Sequence, residues 1–214
     1  MPPGEFISYS NHGYTLLGYI VELISGIPFD QYVDQNVLKP LGMTRSSFHQ
    51  PPRSNLLSEM AVGYVFRDGI YQPVPLDYVN DAPAGALTTA TDMARFMIVH
   101  LEDGRLGDIR VMDGATTAEM HRQHFTPHPK LPGICYGLWE YFANNQRAIQ
   151  HDGGWTGFYS LLFLLPEHHL GFFVAANSLD LQDSSQQSLG EELTRRFLNR
   201  YYPAEATVRS AVPT

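Results

Sequence analysis

Two hydrophobic periods divide the chain. Up to about residue 133, apolar positions recur at helical spacing or lie scattered among polar ones; from about residue 134 they run in short, strand-like blocks. In the first part, Leu16, Leu17, Ile20, Val21 and Ile24 form one apolar stripe. Asn11 is placed to cap that helix, and Gly26 and Pro28 close it. Pro28 also opens a second helix over "PFDQYVDQNVL", with Phe29, Tyr32, Val33 and Val37 inward and "KPLGM" as its stop. Residues 44–85 are polar, rich in Pro, Gly and Ser, and read as long loops with short strands walling a cleft.

"TTATDMARFMIVHLEDG" predicts a third helix. Thr91 is the expected cap, Asp92 suits the positive end of the dipole, Met93, Phe96, Met97 and Leu101 face in, and Gly104 ends it. A shorter helix is expected over "TTAEMHRQ". Four strand-like blocks follow, "ICYGLWEYFA", "RAIQHDG", "GFYSLLFLLP" and "LGFFVAAN", separated by "NNQ", "GGWT" and "PEHH". A last helix puts Leu189, Leu193, Phe197 and Tyr201 on one face. The order predicts an α+β fold, a helical layer packed on an antiparallel meander whose edge is left open. One domain is expected over 1–203, mainly helix and loop to 133 and sheet plus closing helix from 134, with 204–214 as a tail or linker.

Composition narrows the function classes. With 214 residues and 43% hydrophobic content, the chain suffices for one domain with a sizeable core. The formal net charge of -8 argues against nucleic acid or an anionic membrane surface as the main partner. No apolar run approaches the roughly 20 residues that span a bilayer. The single cysteine, Cys135, lies in an apolar, aromatic stretch and is expected to be a buried structural thiol. The N-terminus carries no signal peptide, and the compartment, periplasmic or cytoplasmic, stays open.

Candidate chemistry sits in two places. In an extended segment Tyr9 and Asn11 project to the same side, beside a helix N-terminus. A phenol and a carboxamide aimed into one space suit proton transfer and hydrogen bonding. A free phenol with a pKa near 10 is a poor base at neutral pH and needs a nearby cation. The alternative is that Tyr9 packs and Asn11 merely caps. The second place is "HDGGWTGF". His151 ends a strand, Gly153 permits close backbone approach, and the Gly154 N–H is free to face a developing oxyanion. Here the alternative is a plain turn with an edge-strand histidine.

Taken together, these landmarks resemble those of a known family in the same order. "PPGEFISYSNHGYTLLGYIVELISGIPF" resembles the segment around the Tyr-x-Asn motif of class C β-lactamase-type serine hydrolases, which include low-molecular-weight penicillin-binding proteins, D-amino-acid peptidases and related esterases. "VLKPLGM" and "APAGALTTATDMARF" resemble the next two landmarks, and "HDGGWTGFYSLLFLLPEHHLGFFVAANS" the third catalytic motif with its following strands. The resemblance covers almost the whole chain, as the C-terminal two thirds of such a domain. It implies a β-lactamase/transpeptidase-like fold without its first strands and nucleophile helix. It implies Tyr9 as general base, Asn11 as holder of the substrate amide or catalytic lysine, and His151 where many relatives have the lysine of Lys-Thr-Gly. Gly153 would allow close approach, and the Gly154 N–H would be one oxyanion donor. Trp155 and Phe158 are expected at the acyl pocket. No metal or cofactor is implied.

Two departures qualify that picture. Histidine holds a carboxylate less well than lysine, which favours an esterase or peptidase over β-lactam hydrolysis. More importantly, the family's Ser-x-x-Lys is missing. The only lysines are Lys39 and Lys130, and three positions before them stand Asn36 and Pro127. The expected partners are therefore a small-molecule or peptide-like acyl substrate and an upstream segment or another chain that completes the site. A homo-oligomer through the exposed sheet edge is also open, as is a non-catalytic binding or regulatory module. There is no Gly-x-Ser-x-Gly elbow, and adjacent His151 and Asp152 on a strand point apart, against a triad. His121, His124 and His128 are read as solvent or rim histidines rather than metal ligands.

Overall fold

The computed structural model describes residues 4–76, 85–179 and 189–204; the "APA" that opens one landmark and nearly all of the expected tail lie outside them. Helix α1 spans Asn11–Ser25. Its cap is Ser10, not Asn11: Ser10 is extended, and its hydroxyl accepts the Gly13 N–H at 3.1 Å. At the other end Gly26 takes a left-handed conformation (φ 69°), and its N–H bonds the Glu22 carbonyl.

Helix α2, Phe29–Val33, widens into a π turn over Asp34–Leu38, which brings Asp34 and Leu38 inward. Arg53, just before the short α3 (Ser54–Leu57), reaches the buried Asp34 carboxylate at 2.6 Å. Residues 63–74 form the hairpin β1 (Gly63–Arg67) and β2 (Ile70–Val74), turning on Asp68 and Gly69, both at positive φ.

Helix α4 is Ala90–Leu101. Thr89 caps it, accepting the Asp92 N–H; the expected cap, Thr91, is already inside the helix and exposed. Asp92 is buried, and its carboxylate also accepts from the Arg45 N–H at 2.9 Å and the Ser46 hydroxyl at 2.8 Å, tying the loop after the π turn to the helix. The small ribbon β3 (Arg105–Leu106) and β4 (Ile109–Arg110) leads to α5, Gly114–His121.

The expected meander is present, in the order β5-β6-β7-β8: Trp139–Ala143, Gln146–Trp155, Phe158–Leu165 and Leu170–Ala176, all antiparallel. Residues 134–138 are loop. Asn144 and Asn145, both at positive φ, make the first two-residue turn. "GGWT" does not interrupt the sheet. Gly153, Gly154 and Trp155 continue β6, and the turn falls on Thr156 and Gly157 because Gly157 supplies the positive φ of 85°.

Alternation along β7 splits the core. Tyr159, Leu161, Phe163 and Leu165 face α6 (Leu189–Tyr201), meeting Leu198 and Phe197; Leu162 and Leu164 face α4, meeting Met97, Cys135 and Ile149. The inward face of α6 is Gly190, Thr194, Phe197 and Leu198, one residue round from the expected one, and Leu189 and Tyr201 are exposed. Gly190 sets this rotation: a Cβ there would stand 1.8 Å from the Tyr159 hydroxyl. A third cluster joins Leu38, Leu41 and Met43 to Val99 of α4.

One element departs from burial logic. The only buried residue of α1 is Gly18, while Leu16, Leu17, Tyr19, Ile20, Leu23 and Ile24 are all exposed. Covering a Leu or Ile side chain fully is worth about 1.5–3 kcal/mol.

Candidate active site

Tyr9 lies on the extended segment that enters α1, and Ser10, as cap, fixes the direction of that entry. Because Ser10 does the capping, the carboxamide of Asn11, the first helical residue, is not used for it. The ring of Tyr9 meets three others: Tyr14 at 5.6 Å, His151 at 5.9 Å and Trp139 at 6.5 Å between centroids. The two motifs found in the sequence thus come together, across the whole span from the first helix to the second strand of the meander. Tyr9 remains 51% exposed. The hydroxyl of Tyr14 is pushed above its ordinary pKa, by burial first and then by Tyr9.

His151 shares a face of β6 with Ile149, Gly153 and Trp155, the face that α4 covers further along the strand. Strand β5 pairs with β6 only as far as Trp139 opposite Gln150, whereas β7 pairs with it through Trp155. From His151 to Trp155 the edge of β6 on the β5 side therefore carries no strand among the described residues. This run lies next to Tyr9 at His151.

The His151 ring has a defined polarity. Its Nδ1 stands 2.6 Å from the Asp152 carbonyl, which only accepts, so Nδ1 carries the proton. In the neutral ring Nε2 is then the acceptor. Asp152 meets His151 through its backbone, as expected for neighbours on a strand, and not through its carboxylate.

The glycines have distinct surroundings. A Cβ on Gly153 would stand 2.6 Å from the Ser160 hydroxyl, so a methyl there would force the cross-strand serine side chain to turn away. Gly154 is exposed, and Trp155 is 37% exposed at the strand end. The ring of Phe158 packs on Gly63 of β1, where a Cβ would come within 2.7 Å of it; it is not among the rings that meet Tyr9. Two shallow recesses, one lined by Asp34, His49 and Arg53 and the other by Tyr64 and Tyr71, include neither Tyr9 nor His151.

A buried ionic cluster holds the wall formed by Trp139. Glu140, the next residue, accepts from the Gly133 N–H at 2.9 Å, from Arg147 Nε at 2.8 Å and from the Gln123 amide. Burial alone pushes its carboxyl up, but those hydrogen bonds and the guanidinium charge outweigh burial and hold it below the usual carboxylate range. Arg147 also donates to the His121 carbonyl at 2.6 Å. Cys135 is buried as expected, and burial pushes its thiol up, away from the nucleophilic range.

His121 is not a rim residue. It is half-buried, and its Nε2 lies 3.1 Å from Nδ1 of the buried His100, with the two rings stacked. His124 stacks on Tyr136, and His128 is exposed. His100 goes unmarked in the sequence, because a histidine inside an apolar helix face carries no local signal of its partner.

The Beta-lactamase family model matches residues 1–192. The chain belongs to the beta-lactamase family. Among the relatives of this family member is "Penicillin-binding protein 4" of Amycolatopsis lactamdurans, 30% identical over 183 residues, which cover 77% of this chain and 45% of that protein. An octameric penicillin-binding protein homologue from Pyrococcus abyssi superposes with a TM-score of 0.75 at 25% identity, over 93% of this chain and 44% of that one. The D-amino acid amidase of Ochrobactrum anthropi SV3, at 21% identity, shares the fold with a TM-score of 0.71 over 92% and 59%. The chain spans about half the length of the curated relatives it matches. The β-lactamase/transpeptidase-like fold and the serine-hydrolase family are thereby established, for a chain that covers part of that fold.

Proposed function

We propose that this chain is the C-terminal part, one domain over 1–203, of a serine hydrolase that works through an acyl-enzyme. Its substrate is an ester or a peptide-like amide in preference to a β-lactam. The observation that carries this is the 5.9 Å approach of the Tyr9 and His151 rings beside a run of β6 that, among the described residues, has a strand on one side only. A serine supplied from outside these residues attacks the acyl carbonyl, and its proton passes to the phenolate oxygen of Tyr9, kept ionised by the catalytic lysine's cation supplied with the serine, as the C–O bond forms. Asn11 holds the substrate amide or the catalytic lysine. Gly153 admits the substrate backbone, the Gly154 N–H faces the oxyanion, and Trp155 and Phe158 border the acyl side. The leaving group departs with a proton, and water repeats the sequence to release the acid.

The His151 tautomer supports the substrate preference. With Nδ1–H engaged by Asp152, a neutral His151 offers a lone pair rather than the fixed cation that a substrate carboxylate needs. The test is turnover of p-nitrophenyl acetate and nitrocefin, with fluorophosphonate labelling. The 214-residue chain alone is expected to stay unlabelled. A labelled serine within it would refute an external nucleophile.

One observation favours a second reading. Neither Lys39 nor Lys130 has a serine three positions before it, as a non-catalytic binding module would allow. A Ser-x-x-Lys encoded upstream of residue 1 decides against that module. Association of copies through β8, which among the described residues pairs only with β7, is tested by size-exclusion mass; a clean monomer removes it.

A further inference from the structure

We infer that the recess between the π turn and Arg53 is a second binding site, and that it takes a phosphate monoester. Lys39 and Arg53 hold the phosphate, and the side-chain amides of Gln31 and Gln35 complete its shell. The recess includes neither Tyr9 nor His151, so the inference stands apart from the hydrolase reading.

The π turn builds one wall. In an α-helix, residues five apart point to different faces. Here the Lys39 N–H bonds the Asp34 carbonyl at 2.9 Å, five residues back, and the widened turn brings both side chains to the same recess. Gln31 and Gln35, one turn apart, line it as well.

Arg53 is held from behind. Its Nη2 donates to the buried Asp34 carboxylate at 2.6 Å and to His49 Nε2 at 2.9 Å. A guanidinium only donates, so His49 Nε2 accepts, and the ring proton sits on Nδ1 against the Asp30 carboxylate. His49 is therefore neutral here. Two partners fix one nitrogen of the fork, and Nε and Nη1 are left for a ligand. Lys39 is exposed and makes no ion pair or side-chain hydrogen bond among the described residues. The amides of Gln31 and Gln35 make none there either.

These donors select the ligand. Among the lining residues two cations stand against one carboxylate, on a chain whose net charge is -8. Asp34 is already engaged by Arg53, and Lys39 is uncompensated. A carboxylate is satisfied by one guanidinium edge. Lys39, Arg53, Gln31 and Gln35 around one space suit a group with more acceptor oxygens, such as the three of a phosphate monoester. The recess holds about 370 Å³, far more than a bare phosphate ion fills, so the esterified part has room.

The chain has two lysines, Lys39 and Lys130, and each serves as reference for the other. The experiment acetylates the 214-residue chain with a water-soluble active ester, reads both lysines by mass spectrometry, and measures binding by calorimetry. The probes are glycerol 3-phosphate, inorganic phosphate and acetate. We expect glycerol 3-phosphate to slow acetylation of Lys39 at least fivefold and to leave Lys130 unchanged. It should bind more tightly than inorganic phosphate, and both more tightly than acetate. Lys39→Met should weaken it by about tenfold, as loss of a charge-assisted hydrogen bond does, at an unchanged melting temperature. Equal acetylation of both lysines with the ester present overturns the inference, as does unchanged affinity in Lys39→Met. Acetate binding as tightly as the ester would make this a carboxylate site, and inorganic phosphate binding more tightly than the ester would make it a site for the free ion; either result overturns the assignment.

Discussion

The phenol of Tyr9 and the imidazole of His151 face each other at 5.9 Å, tilted by 56°, although one precedes the first helix and the other sits in the second strand of the meander. Trp139 closes on Tyr9 from the adjacent strand. In a protein that includes the serine, Tyr9→Phe should lower kcat about 10²–10⁴-fold while changing KM little, because the lost group acts in proton transfer. A Tyr9→Phe enzyme with full esterase kcat would show that the tyrosine only packs.

Gly153 faces two demands: the Ser160 hydroxyl, 2.6 Å from where a methyl would stand, and the proposed approach of substrate. Gly153→Ala alone is expected to lower stability by about 1–3 kcal/mol through overpacking. Gly153→Ala with Ser160→Gly should recover most of that in a urea melt. Activity in a complete enzyme should stay depressed, since the methyl still stands on the sheet face beside the proposed substrate path. If the pair restores both, Gly153 serves the sheet and nothing else.

His100 and His121 set a pH limit on stability. Burial and the neighbouring His121 lower His100 to about 4; burial and Arg147 lower His121, with Asp103 opposing. Both folded values lie below the unfolded value near 6.5, so the unfolded chain binds more protons between them. Stability is therefore full above about pH 6.5 and falls as the pH drops toward 4, by about 3 kcal/mol for His100. Urea midpoints at pH 7 and 4.5 should differ strongly in the parent and much less in His100→Leu. An identical pH slope in the variant would place the acid sensitivity elsewhere.

Glu140 acts in a lower window. Its carboxyl is held below the usual carboxylate range, so its contribution is present above that range and is lost as the pH falls through the depressed value. Glu140→Ala strands Arg147 and the Gly133 N–H, at a cost of about 3 kcal/mol. Tryptophan fluorescence should also report a looser Trp139. An unchanged melt would mean that the cluster is solvated rather than buried.

Helix α6 gives a purely steric test. Gly190→Ala places a methyl 1.8 Å from the Tyr159 hydroxyl, and the helix must lift or rotate. A loss of about 1–3 kcal/mol is expected, recovered in part by Tyr159→Phe. A neutral Gly190→Ala would mean that the helix sits further from the sheet.

The sequence by itself determined the order of elements, the four-stranded meander and the residues of both motifs, because these are written in local period and turn chemistry: alternation along β7, paired asparagines at a hairpin, glycine at a helix end. It misplaced what depends on an offset of one or two residues. Ser10 and not Asn11 caps α1, Thr89 and not Thr91 caps α4, and α6 turns by one position to fit Gly190 over Tyr159. Only the tertiary structure brought Tyr9 to His151, paired His100 with His121, and left the stripe of α1 uncovered. Those relationships join segments far apart in the chain, and neither hydrophobic period nor capping chemistry carries any record of which distant surface a side chain will meet.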